Sequence, residues 1–308
     1  MNLRRLRRHW DALGRTDPLW AVLTVPEKRG NRWGVEEFFA TGGEEIEEVM
    51  GNLRSLGLEP KPGRALDFGC GPGRLTQALA DRFDEAWGVD IAPSMIELAN
   101  RYNRHPGRCR FFVNDSPDLS LFEDGSFDFI YSNITLQHIE PRYQEPYLTE
   151  LLRVLAPGGL FVFQLPSRER IPQSDGPIAA SDTSIPVSDA QTSASRSRLK
   201  ERLKSRTPGP LLTLYRQGRA VMARLRRGSM KFIRHRPLLD LHQRWQARSA
   251  WLRKEWALRR EGPRMEMWGT PQEEGVALLL RHGGRVLNMA SDEWAPDWIG
   301  FRYTVTKD

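Results

Sequence analysis

The sequence predicts an α/β protein built on a largely parallel sheet with helices on both faces. Two observations carry that expectation. Short apolar runs alternate with stretches of helical period between residues 64 and 165, and a glycine-rich turn joins the first run to the first helix of that region. Apolar runs with little polar alternation suit strands covered on both faces, because neither face then meets water.

Taken in order, residues 2–13 read as a short basic helix, and DPLWAV as a loop carrying Trp20. Ile46, Met50 and Leu53 recur at helical spacing and place a helix over 44–56. Together these segments form an N-terminal helical cap over 1–60, in which Phe38, Phe39 and residues 41–43 either line a site or pack the cap on the sheet. Strands are expected at 64–68, 86–90, 110–114, 127–132 and 159–165, and helices at 74–83, 93–102 and 143–155. Pro157-Gly158-Gly159 stops the last of these helices and starts the fifth strand.

Beyond Pro166 the alternation ceases. Residues 167–196 are rich in Ser, Asp, Pro and Thr and read as a flexible loop, while 199–261 carry Leu, Trp and Arg at helical spacing. Order returns with GTPQEEGVALLLRHGG, where Thr270, Pro271 and Glu273 suggest a capping box and Gly283 and Gly284 a stop. Runs at 285–289 and 300–305 supply two more strands. The core thus comprises 61–166 and 265–308, interrupted by a loop and basic helical insertion over 167–264.

The chain is organised around residues 65–76, ALDFGCGPGRLT, in which a buried strand breaks at Gly69, Gly71 and Gly73 before a helix opens at Arg74. Glycine suits such a turn because the chain reverses tightly, and because a side chain would keep the backbone from touching a ligand at the helix start. Asp90 closes the next strand-like run, where a carboxylate is placed to accept hydrogen bonds from two ribose hydroxyls. Asp67 would repel a pyrophosphate in the same turn, and suits a ligand carrying an ammonium and a sulfonium. A dinucleotide site is the alternative, but GxGxxG is not met, since the third glycine falls one residue early.

In these residues the sequence resembles the class I S-adenosylmethionine-dependent methyltransferases, whose first motif is an acidic residue followed by GxGxG. The likeness continues in order through GVDIAPSMIELA, NDSPDL, GSFDFIYSNITLQHI and LLRVLAPGGLFVFQLP, covering about Pro62 to Pro166. It implies a Rossmann-like seven-stranded, mostly parallel sheet whose last strand is antiparallel, and S-adenosyl-L-methionine as cofactor. On the resemblance, Asp67 and the backbone around Gly69, Gly71 and Gly73 face the methionyl amino group. Asp90 takes the ribose, Ile91 one adenine face and Asp115 the adenine amino group, while the Asn133 backbone closes the methionyl end. Asp115 is alternatively a turn residue only.

The amino-methylation motif N/D-PP-Y/F is replaced here by NITL, which turns the expectation towards oxygen. His138 is the histidine near the expected methyl-transfer face, and is either a general base or a packing residue; Tyr131 and Gln137 are lesser alternatives.

Net charge is +7, but its distribution is uneven: residues 196–264 hold twenty-one Lys and Arg against four acids, a net +17 that leaves about −10 elsewhere. A basic insertion leaving the carboxyl edge of the sheet would build the acceptor site, or touch an anionic membrane or an acidic partner, or form only a helical lid. No RNA-binding module is recognisable, so nucleic acid is not the expected partner. The expected acceptor is a small molecule or glycan; RNA methylation and cofactor binding without catalysis are the rivals. The two cysteines, Cys70 and Cys109, have no metal-ligand spacing and suggest a reducing compartment. Without a signal-like or membrane-spanning run, the expectation is a cytoplasmic chain, soluble or peripheral to the inner face of a membrane.

Overall fold

The computed structural model describes residues 3–170, 263, 265–292 and 297–308. The expected insertion therefore lies, from residue 171 to 262, outside the described residues. Strands β1 (Arg64–Phe68), β2 (Glu85–Asp90), β3 (Cys109–Val113), β4 (Phe127–Ser132), β5 (Leu155–Glu169), β6 (Gly284–Asp292) and β7 (Trp298–Lys307) form one sheet in the order β3-β2-β1-β4-β5-β7-β6. The pairs among β1 to β5 are parallel, and β7 runs antiparallel to both β5 and β6. This is the seven-stranded Rossmann-like sheet with its antiparallel last strand.

Helices α1 (Leu3–Thr16), α2 (Pro18–Val22) and α3 (Val35–Ser55) precede the sheet, α4 (Arg74–Ala80), α5 (Pro93–Tyr102) and α6 (Pro141–Val154) alternate with its strands, and α7 (Gln272–Arg281) leads into β6. The sheet divides the core. Leu66, Phe68, Ile130, Phe161 and Phe163 pack with α6 and with Leu279 of α7, whereas Ala65, Phe129, Tyr131 and Val162 pack with α3 and α4. A register shift between Phe127 and Phe129 lets these two near neighbours serve opposite clusters.

Four local expectations are corrected. DPLWAV is not a loop: Pro18 starts the short helix α2, where its missing N–H costs nothing. The helix expected from residue 44 begins at Val35, because Gly42 is a contact point rather than a break; a Cβ there would lie 2.5 Å from the Arg74 carbonyl oxygen. Of the two readings of Phe38 and Phe39, packing of the cap is the one met, since both are buried with Leu19. The capping box is absent, since Pro271 is the residue before α7 and the Thr270 hydroxyl donates to Gln144 Oε1. Pro157 and Gly158 also lie within β5, which begins at Leu155 opposite Phe127.

Helix α1 is seated on α5. Gly14 lies so close to Ser94 that a Cβ would meet its hydroxyl at 2.3 Å, while the Ser94 N–H donates to Asp11 Oδ1 at 2.9 Å. Burial opposes ionisation of Asp11, yet the Ser94 N–H and Arg15 outweigh it and hold the carboxyl below its ordinary range.

Candidate functional site

The chain steps outward from β1 to β2 and β3, then returns to β4 on the other side of β1. Ligands of open α/β sheets bind beyond the carboxyl ends of the strands at such a reversal. A pocket enclosing about 890 Å³, its open mouth included, occupies that position. Phe68, the 69–71 turn, Asp90 and Ile91 line it from β1 and β2, and Asn133, Ile134, Thr135, His138 and Ile139 from beyond β4. Leu6 and Trp10 of α1 and Val22 of α2 complete its wall.

The turn is stitched to β2. Gly69 and Cys70 N–H both donate to the Val89 carbonyl, at 2.8 and 3.1 Å, and Gly71 N–H donates to Asp90 Oδ2 at 3.0 Å. Asp90 Oδ1 accepts from Ala92 N–H at 2.8 Å. The Ile91 backbone N–H bears on the same carboxylate, which still has acceptor capacity towards the pocket. Burial pushes the Asp90 carboxyl up to about 6, against the pull of those backbone donors. Gly69 has φ +84°, and a Cβ on it would sit 2.1 Å from Thr135 Oγ1, so glycine is required both by conformation and by the approach of the β4 side.

On that side Ile134 has φ +55°, a strained conformation for a β-branched residue, at the turn after Asn133. Glu45 of α3 holds the neighbourhood in place. Its Oε1 accepts from Asn133 Nδ2 at 2.7 Å and from the Tyr131 hydroxyl at 2.9 Å, and its Oε2 accepts from Arg74 Nη2 at 2.7 Å.

His138 lines the pocket with both ring nitrogens engaged: Nδ1 lies 2.7 Å from the Glu266 carbonyl and Nε2 3.2 Å from Gln137 Nε2. A carbonyl can only accept, so Nδ1 carries the proton and Nε2 receives the amide N–H. Burial pushes the ring down to about 4, and it meets Trp10 edge-on at 5.1 Å.

Three other expected residues stand apart from the cavity lining. Asp67 is 1% exposed beneath the turn, accepts from the Thr76 hydroxyl at 2.7 Å, and is raised by burial to about 7. Gly73 sits against Phe111 at the start of α4. The Asp115 carboxylate turns outward to Arg7 Nη1 of α1, with more than half of its side chain exposed, while Asn114 lines the pocket instead.

Residues 65–159 match a protein family described as Methyltransferase domain. Residues 65–159 are a methyltransferase domain. The chain is 35% identical over 113 residues to a trans-aconitate 2-methyltransferase of Variovorax paradoxus, covering 37% of this chain and 42% of that protein. It is 33% identical over 128 residues to a sterol 4-C-methyltransferase of Caenorhabditis elegans, covering 39% and 37% respectively. It therefore spans less than half the length of the curated relatives it matches. A magnesium protoporphyrin IX methyltransferase from Synechocystis, solved with SAH bound, shares the fold over 100% of both chains, with a TM-score of 0.53 and 10% identity.

Sequence reasoning missed Arg74 within the matched stretch, and Glu45, Leu6 and Trp10 ahead of it. Arg74 directly follows the third glycine and was legible as a position, but its partners come from α3, 29 and 33 residues earlier. Leu6 and Trp10 were readable as the apolar face of a helix, not as part of a pocket wall.

Proposed function

We propose that this chain is an S-adenosylmethionine-dependent methyltransferase acting on a small-molecule acceptor at oxygen. The observation that carries the reading is Asp90: its carboxylate clamps Gly71 N–H at the mouth of the glycine turn and presents acceptor capacity to the pocket. That acceptor fits a ribose diol and not a pyrophosphate, which two buried acids, Asp67 and Asp90, would repel. When bound, the sulfonium supplies the electrophilic methyl group, and methyl transfer from it needs alignment and exclusion of water more than covalent help.

The chain's own residues serve those ends. Leu6, Trp10 and Val22 exclude water, and Glu45 holds the turn at Asn133 that closes the methionyl end. In this reading His138, neutral and committed at both nitrogens, is a positioning wall rather than a base, so the acceptor reaches the site as an anion or loses its proton elsewhere. The relatives named for trans-aconitate and sterol act on small molecules, which supports that acceptor class. Replacement of N/D-PP-Y/F by NITL at 133–136 supports oxygen. Among the described residues no helix is long and apolar enough to cross a membrane, and no cluster of three metal-ligating side chains occurs.

Calorimetric titration with S-adenosylmethionine and, separately, NAD tests the assignment. Binding of the first alone supports it, and binding of NAD, or of neither, removes it. An acceptor screen of small carboxylic acids and hydroxyl compounds follows from the first outcome.

A further inference from the structure

The strand ends mark out the adenosine end of the pocket. Asp90 closes β2 and Asn114 follows β3, so the cavity runs outward from the ribose acceptor past Ile91, Met95 and Asn114. Leu6 of α1 and Tyr147 of α6 complete this part of the wall. Its two polar side chains are committed to the turn after β3. The Asn114 amide donates to the Ser116 and Asp118 carbonyls, at 3.3 and 2.8 Å, and its Oδ1 accepts from the Ser116 N–H at 3.4 Å. The Tyr147 hydroxyl donates to the Ser116 carbonyl at 2.6 Å. Asp90 is the one carboxylate among the described lining residues, and three backbone donors bear on it.

The acid that follows Asn114 faces the other way. Asp115 pairs with Arg7 Nη1 of α1 and keeps more than half of its side chain in water. An exposed pair of this kind is weak by itself. The turn sets the same direction independently of it. Asn114 N–H is bonded to the Asp90 carbonyl at 2.9 Å, and the Asn114 amide with the Tyr147 hydroxyl fixes the backbone beyond Asp115. Helix α1 is itself fixed to α5, where the Ser94 N–H and hydroxyl both donate to Asp11, and this keeps Arg7 in place. Bringing the Asp115 carboxylate into the cavity would break the ion pair, unmake those turn bonds and strip water from a charge. We infer that this site recognises the cofactor's purine by shape and leaves its 6-amino group unread, because Arg7 and the 114–118 turn hold Asp115 out of the cavity. The inference rests on the S-adenosylmethionine reading and adds to it a base specificity: a flat purine seated against Ile91, Met95, Leu6 and Tyr147, with or without the amino group. An amino group that meets no carboxylate adds little to affinity, since in water it was already hydrogen-bonded.

The test compares S-adenosylhomocysteine with its 6-deamino analogue, in which purine replaces adenine, by calorimetry on the full chain. The analogue keeps the ring nitrogens, ribose, thioether and amino acid, so the amino group alone is read. The wild type should bind the analogue no more than about threefold more weakly, whereas a charged acceptor on the amino group would separate the two by about tenfold or more. Asp115→Asn, at an exposed side chain, should leave the ratio of the two affinities unchanged within about twofold. A greater loss for the analogue in the wild type, or a ratio that moves further in Asp115→Asn, overturns the inference with the cofactor reading intact. A wild type that binds neither compound overturns the cofactor reading itself, and this inference with it.

Discussion

Glu45 on α3 and Asn133 after β4 meet through a 2.7 Å hydrogen bond, the amide donating to the carboxylate across 88 residues of sequence. The same carboxylate takes Arg74 and Tyr131, so one acid from the N-terminal cap ties together the start of α4 and the end of β4. The strained Ile134 sits directly after the residue so held.

Removing that acid should therefore be costly. Glu45→Ala leaves the Arg74 charge, 3% exposed, without its counter-ion, and breaking a buried pair from one side costs about 3 kcal/mol. Chemical denaturation measures it. Glu45→Gln, which can still accept from Asn133, should lose less; equal losses would place the effect in packing rather than in charge.

Asp90→Ala should weaken S-adenosylmethionine and 5′-methylthioadenosine together, by about ten- to a hundredfold, because both carry the ribose and a charged acceptor is lost. Calorimetry reads the change. Unchanged affinity would remove Asp90 from the ribose role.

The buried acids set a pH dependence. Asp67 and Asp90 are raised by burial from 3.8 to about 7 and about 6. Being raised in the folded state, they contribute stability that is present below their unfolded value and lost as the pH climbs through 6 to 7. Asp67→Asn should then stabilise the free protein more at about pH 8 than at about pH 5, as melting temperatures would show. A cationic ligand favours the ionised acids, so binding between these two values should release protons, more with S-adenosylmethionine than with S-adenosylhomocysteine, whose sulfur is no longer charged. The dependence of binding heat on buffer ionisation enthalpy measures that release, and proton uptake would contradict it.

His138 should leave no mark on the rate profile near the ordinary histidine range, since burial holds it neutral down to about 4. His138→Gln is expected to lower the rate by about tenfold through lost positioning of Trp10 and Glu266, without moving any inflection between about pH 5 and pH 8. Loss of an alkaline-rising limb in the variant would restore the base role.

Much of the framework was legible because its signals are local. Strand, glycine turn and helix at 64–80 lie within one short window, and apolar runs at 85–90 and 127–132 declare buried strands by composition alone. Asp90 announced itself by standing at the end of such a run. The N-terminal cap was read less well: Gly42 and Gly43 resemble a break in sequence, whereas Gly42 is where α3 lies against Arg74.

By itself, then, the sequence determined the α/β order, the glycine turn and the acid at the end of β2, because each follows from spacing within a few residues. Tertiary structure alone decided that Glu45 serves Arg74 and Asn133, that Leu6 and Trp10 complete the pocket wall, and that Asp115 turns to Arg7, 108 residues away. Those contacts depend on how α1 and α3 pack over the sheet edge, and no periodicity within a helix reports which residue of another element its polar side chains will meet.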